Sequence, residues 1–499
     1  MMKKQYNILM LLGLLFAGSC ELNEEPYGFY SEGNFLTTPE EAEAAITYAY
    51  DALTFLEYSR TVFYLGDLPS ETLQPKEDQG GGAQELNFWK TETFSNNANL
   101  NNFFKYAYIA INRANLLIEK VPQASFDEDD QNKYLGEAYF LRAWNYFNLV
   151  RNFGLVPLQK GLVSSIEETS SPRASNLDEV YDLILGDVRK AAELLTINQA
   201  TGRADKVAAQ ALAAKAYLYI ASAKEHNVLL YDAVSRDVTT MYDSAEYYSG
   251  LVINGQSTYG LEPNLLDIYD VDKAKGSEHI FIMSMDRTGL IEGDYSKISK
   301  LFIPYVNGGT IYLDESADAS SRSHDGWNSM ITVNDFYDTY ETGDKRAEQL
   351  FVSSIYDENQ NLIAEFPDYP MTSHFCRKYI DPNFIGDKTS TKPFLIRYSE
   401  VALIYAEAAG PTAQGYAQIN AIRDRAGLED LEAGLSVEDF RMKVFEERAF
   451  ELAYEGNRMY DLRRFKMVKA IVPNAANISD EDAAYYPLPQ IEVDLNQNL

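Results

Sequence analysis

Apolar residues recur at three- and four-residue steps through most of the chain, a period that predicts helices. One starts at Thr37-Thr38-Pro39-Glu40-Glu41, where a capping hydroxyl, a first-turn proline and acids near the positive end of the dipole coincide. It continues through Ala44, Ala45, Tyr48 and Ala52. The same period predicts helices over 101–120, 129–153, 176–195, 205–224 and 242–252. The 205–224 segment is rich in alanine, which lets neighbouring helices approach closely. Helix pairs of this size, with alanine and aromatics on facing sides, predict a tetratricopeptide-like stack. The polar interval 66–84, with Gly80-Gly81-Gly82, is predicted to be a loop. No Lys-Ser/Thr pair follows those glycines, so they form no phosphate cradle.

Between 254 and 396 the helical period dissolves. Residues 278–285, EHIFIMSM, predict a strand, and Gly, Ser, Asn, Asp and Tyr then dominate as far as Pro393. A run of that length without regular structure marks a functional insertion. Helical periodicity returns at Arg397 and ends in 440–465. There Val444, Phe445, Arg448, Ala449, Leu452 and Met459 share one face, while Glu446, Glu447, Glu451, Glu455, Arg458, Asp461, Arg463 and Arg464 crowd the rest. Spacing alone predicts one long helix with a solvated, salt-bridged face. Gly456 costs about 1 kcal/mol inside a helix, so it marks a bend or a close contact. The expectation is a mainly α protein. Its helical scaffold spans about 38–253 and 397–468, with a loop-rich, partly β insertion over 254–396 and a tail over 469–499.

Composition narrows the function. The 499 residues carry a formal charge of −32, with 75 acids against 43 Lys and Arg. Removing a leader that holds Lys3 and Lys4 takes this to −34. Such a surface excludes nucleic acid, which needs a basic patch, and disfavours anionic lipid. The leader is read from Lys3 and Lys4, the apolar run 8–17, and small Gly18 and Ser19 before Cys20. It is too short to span a membrane. Cys20 in that place looks like the lipidated residue of a bacterial lipobox, although Ala17 replaces the usual Leu or Val. Acyl chains on Cys20 would anchor the protein at about 0.8 kcal/mol per buried methylene. The only other cysteine, Cys376, reads as a small core residue.

The order of residues in 447–465, ER-x-x-EL-x-x-EG-x-R-x-x-DL-x-R-F, resembles the C-terminal signature of the SusD/RagB-like family of Bacteroidetes nutrient-binding lipoproteins. Further stretches are similar to the same family. They are Glu137 to Ala143 with Gly154 to Leu158, Gly202 to Asp205 with Ala213 to Tyr219, and Arg397 to Glu400 with Tyr405 to Ala408. Ile419 to Leu428 and the tail Pro487 to Asn498 complete the set. The resemblance covers nearly the whole mature chain and implies a single SusD-like domain over 20–499. It also implies display on the outer face of the outer membrane, for which Glu21, Glu24 and Glu25 resemble the acidic export tag. The implied partner is a SusC-like TonB-dependent transporter, over which the protein acts as a lid, and the charges of 447–465 would clamp the end of the helical array.

Enzyme signals are thin. There is no His-Glu-x-x-His, no Gly-x-Ser-x-Gly and no Cys/His cluster at metal spacing, and His226, His279, His324 and His374 lie far apart. No catalytic residue, metal or cofactor is expected. A carbohydrate binder instead needs flat aromatic platforms flanked by polar side chains. Two stretches of the insertion fit. One holds Tyr305, Asn307 and Tyr312; the other holds Arg322, His324, Asp325, Trp327 and Asn328. The resemblance places Trp327 at one glycan-stacking tryptophan of the starch-binding member, and Tyr305 at its tyrosine. That member's other stacking tryptophan has no match in 79–84, and Trp89 reads equally well as scaffold. Two functions stay open: a glycan-binding lipoprotein that feeds a SusC-like transporter, and a RagB-like lipoprotein that feeds peptides to the same kind of partner.

Overall fold

Helix α1 (Pro39–Thr54) begins as its sequence dictates, with a reciprocal capping box: the Thr38 hydroxyl accepts from the Glu41 amide, and the Glu41 carboxylate accepts from that of Thr38. The computed structural model describes residues 36–499, apart from 166, 199–200, 257, 274–275, 290–294, 307 and 497. The expected leader, Cys20, the acids at 21, 24 and 25, Asn307 and Gln497 lie outside the described residues.

Helices α2 (Ala98–Lys120), α3 (Glu128–Phe153), α4 (Leu177–Leu194), α5 (Lys206–Glu225) and α6 (Val238–Asn254) follow, each packed on the next. They match the sequence expectation to within a few residues and form the tetratricopeptide-like array. The alanines of α5 are buried, and α5 touches α4, α6 and the later helix α7 (Tyr398–Ala409). Helices α8 (Ala413–Ala426) and α9 (Val437–Glu451) complete the stack against α7. The 66–84 interval departs from expectation, because it holds strand β1 (Leu73–Pro75) and the start of a helical turn at Ala83. Strand β2 (His279–Ile282) is shorter than predicted.

The insertion contains β3 (Thr310–Tyr312), β4 (Arg322–His324), β5 (Met330–Thr332), β6 (Ser354–Tyr356) and β7 (Leu362–Glu365), and β8 (Phe394–Arg397) leads back into α7. Four of these form one sheet in the order β4-β3-β6-β7. It covers a small separate core of Ile303, Ile311, Leu313, Ile355, Met371 and Phe375. β2 pairs with β8, which closes the two ends of the insertion on each other, and β1 pairs with β5, which stitches its middle to the scaffold.

The 440–465 segment is not one helix. α9 stops at Glu451, Tyr454 and Gly456 take positive φ (61° and 78°), and α10 (Arg458–Arg464) sets off anew. A Cβ added at Gly66 would lie 2.3 Å from the Gly456 carbonyl oxygen, so two glycine backbones meet here. Nor are the charges solvated. Glu447, Arg448, Glu451, Glu455, Asp461, Arg463 and Arg464 are all buried, and only Glu446, paired with Lys443, stands at the surface.

All of those buried charges but Arg463 belong to two balanced networks. In the first, Arg346, Lys378, Arg397, Arg423 and Arg425 meet Glu278, Asp344, Glu447, Glu451 and Glu455. Arg397 alone binds Glu455 at 2.6 Å, Glu451 at 2.7 Å and Glu278 at 2.8 Å. In the second, Arg448 and Arg464 share Asp461 at 2.8 and 2.9 Å, Arg464 also binds Glu407, and Lys215 binds Glu400 at 2.6 Å. Burial by itself would raise the Asp461 carboxyl, but the two guanidinium groups outweigh it and hold it at about 2. The first network ties Asp344, Arg346 and Lys378 of the insertion to Arg397 at the end of β8 and to α8 and α9. It fixes where the insertion stands.

Candidate functional site

The two aromatic stretches are brought together by the backbone beyond β3 and β4. The Asp325 amide donates to Gly309 O at 3.0 Å, Gly326 to Pro304 O at 2.8 Å, Trp327 to Lys300 O at 2.7 Å and Asn328 to Ile303 O at 2.9 Å. The Asp325 carboxylate is buried and accepts from the amides of Gly308 at 2.6 Å and Val306 at 3.3 Å. A Cβ added at Gly326 would sit 1.9 Å from Ile303 O, so only glycine allows this approach. The loops are therefore laced to each other.

Two large apolar rings stand out from this frame. Tyr305 is 53% exposed and Trp327 38%, and the Lys300 ammonium lies 5.7 Å from the Trp327 ring while paired with Asp387 at 2.5 Å. The other expected residues divide. Tyr312 and Asn328 are half-buried, and Asn328 holds a positive φ of 52°. Arg322 is half-buried, donating to Pro382 O at 2.8 Å with its guanidinium 4.2 Å from the Phe384 ring. His324 is buried, with one ring nitrogen on Ser299 Oγ at 3.1 Å and the other on Asp325 O at 2.7 Å. Burial lowers its pKa, so it is a neutral packing residue at pH 7. His324 and Asp325 thus spend their polar atoms on holding the loops; as contacts for an outside molecule they are inaccessible.

The early loop, where the resemblance puts the starch-binding member's other stacking tryptophan, approaches the same neighbourhood. Because Pro75 pairs with Met330, the chain after β1 leaves beside Asn328. Asn97 and Asn99 donate to Gly82 O at 2.9 Å and Gly81 O at 2.7 Å, which pins the triglycine. It brings no aromatic. Trp89 is buried, donates to Pro69 O at 2.9 Å and stacks on Tyr486, so it is scaffold. A separate cleft of about 990 Å³, lined by Phe88, Phe336, Phe450, Arg458, Pro473 and Asn474, opens along β1 and includes neither Tyr305 nor Trp327. Flat saccharide faces need exposed rings more than a deep cavity, so the laced loops are the better candidate.

Comparison with known proteins agrees with this architecture. A profile described as "SusD family" matches residues 254–499, and one described as "Starch-binding associating with outer membrane" matches 44–218. SusD-like protein P2 of Formosa agariphila is 26% identical, with 100% of this chain and 99% of that protein aligned. A SusD-like protein of Bacteroides ovatus is 24% identical, over 92% of this chain and 82% of its own length. Among solved structures, a laminarin-binding SusD-like protein superposes with a TM-score of 0.75 at 23% identity, covering 92% of this chain and 98% of that one. Surface glycan-binding protein A from Bacteroides fluxus gives 0.72 at 22%, covering 93% and 98%.

Proposed function

Since this chain belongs to the SusD/RagB-like family, we propose that it captures glycans at the cell surface and passes them to a SusC-like TonB-dependent transporter. The observation that carries the binding half is the exposure of Trp327 and Tyr305 on a loop pair whose backbone is already fixed. Rings held this way lose little freedom when a sugar stacks on them, so more of the contact energy appears as affinity. In this reading Trp327 and Tyr305 take the C–H faces of the saccharide. Asn328, Tyr312 and Arg322 supply polar contacts at the rim, Asn307 is assigned to the ligand from its place in the sequence alone, and Asp325, His324 and Gly326 hold the frame. The names of the laminarin-binding and surface glycan-binding neighbours support carbohydrate as the ligand class. The role is binding and not catalysis.

The anchor in this reading is lipid on Cys20 at the outer membrane, facing outward. Cys20→Ala should release the protein from the membrane fraction. The deciding experiment is a binding screen of glycans and peptides with the chain from Glu21 onward, repeated with Trp327→Ala. A glycan should bind, and the substitution should weaken it by about 1–3 kcal/mol. Binding of peptides alone, unaffected by Trp327→Ala, would replace this reading with the peptide-capturing one.

A further inference from the structure

Most buried arginines of this protein are matched to carboxylates: Arg142 to Asp187, Arg346 to Asp344, Arg397 to Glu455, Arg464 to Glu407. Arg151 and Arg463 are not. Arg151 donates to Asn148 Oδ1 and lies against the Phe147 and Tyr460 rings. Arg463 is 1% exposed, and no carboxylate of the described residues lies within 4 Å of its guanidinium. Nη1 donates to Arg151 O at 3.2 Å and to Asn152 Oδ1 at 3.3 Å, and the Tyr486 ring lies 4.2 Å away. Nε and Nη2 are buried donors with no partner. An unmatched buried cation is costly, and a counter-charge would be expected to seek it.

Arg463 also lines a pit of about 160 Å³ with Val228, Asp232, Lys466, Lys469 and Asp480. Arg463 and Val228 are buried, and the exposed lysines stand at the rim. Lys466 follows α10 with a positive φ of 55°, a conformation usually left to glycine, and its ammonium reaches across to Asn227 O at 3.0 Å. Lys469 pairs with Asp480 at 2.9 Å. Ligand pockets for whole organic molecules run to roughly 300–1,000 Å³, so this one is sized for a small group. The pit carries three cations against two carboxylates, Asp232 and Asp480, so its lining is net positive on a protein carrying −32.

We propose that this pit is a binding site for a small tetrahedral oxyanion, sulfate or phosphate, held by Arg463 from below and by Lys466 and Lys469 from the rim. The group arrives either as the free ion or as the ester on a saccharide. The pit is built from α10 and the segments around 227–232 and 466–484, not from the aromatic loops, so it stands whether or not those loops bind glycan.

The test uses the full mature chain, sodium selenate soaked into crystals, and thermal unfolding in sodium sulfate or sodium phosphate against sodium chloride at matched ionic strength. Selenate should give an anomalous peak beside Arg463. Sulfate or phosphate should raise the unfolding midpoint by roughly 1–2 °C at ten times its dissociation constant. Lys466→Ala/Lys469→Ala changes only rim residues and should fold normally while losing the shift. Asp232→Asn, which removes a rim anion, should enlarge it. Galactose 6-sulfate against galactose then separates the sources: a lysine-dependent shift with the ester alone assigns the site to esters, and one with inorganic sulfate alone assigns it to the free ion. No selenate peak at Arg463, or a shift that survives the double lysine variant, overturns the proposal.

Discussion

The 437–464 segment and the 303–328 loops use polar residues in opposite ways. In the first, charged side chains are withdrawn from water and paired almost completely, so Arg397 serves three carboxylates at once. In the second, the polar groups of Asp325 and His324 fasten the backbone while two of the largest apolar rings stay in solvent. An inverted distribution of this kind separates a scaffold from a surface. The interior charges fix geometry at no gain of recognition, and the exposed aromatics leave unburied area available to a partner.

The contrast is broken most severely at Arg397. Arg397→Met would leave Glu278, Glu451 and Glu455 buried beside one fewer cation. It should cost about 3–5 kcal/mol, seen as a lower denaturant midpoint or lost soluble yield. A well-folded variant of wild-type stability would show that the network contributes nothing to holding the insertion. Acid attacks the same region more gently. The folded Asp461 carboxyl sits at about 2, below its unfolded value of about 3.9, so its contribution is present above pH 4 and is lost as pH falls toward 2. The Glu451 and Glu455 carboxyls shift in the same direction: burial opposes ionisation, and the surrounding guanidinium and ammonium groups outweigh it. The Asp461 carboxyl alone should therefore withdraw about 1.5 kcal/mol of stability between pH 4.5 and 2.5, against the opposite contribution of the Asp67 carboxyl, which burial raises to about 8, the sum being read by urea unfolding. Invariance across that window would contradict the pairing.

Sequence periodicity located the helices because α1 to α6 bury apolar stripes at a 3.6-residue period and carry cap residues such as Thr38, Asp127, Asn176 and Asp205 at their starts. It failed at 440–465 for a physical reason. Glu447, Arg448, Glu451 and Asp461 are polar yet interior, so a rule equating charge with solvent inverts their placement. The order of those residues was legible only as a family resemblance. The short strands escaped notice because three-residue β1 has no period to detect, and its pairing with β5 spans more than 250 positions. Tyr305 and Trp327 could be singled out by type. That Asp325 and His324 turn inward follows from lacing between loops that local spacing cannot express.

The smallest and most discriminating perturbation is at the rings themselves. Trp327 is 38% exposed, so Trp327→Ala should leave the unfolding free energy within about 1 kcal/mol of wild type. Tyr305, at 53%, should cost still less stability when replaced. Each change should nonetheless weaken a bound glycan, Tyr305→Ala by about 0.5–1.5 kcal/mol, less than Trp327→Ala because the phenol offers less stacking area. Affinity from calorimetry and stability from urea unfolding, taken on the same two variants, give the comparison its sharpest form. If stability drops along with affinity, the rings belong to the scaffold after all. If affinity falls alone, the loops are a surface built for recognition, and the buried charges hold the insertion that carries it.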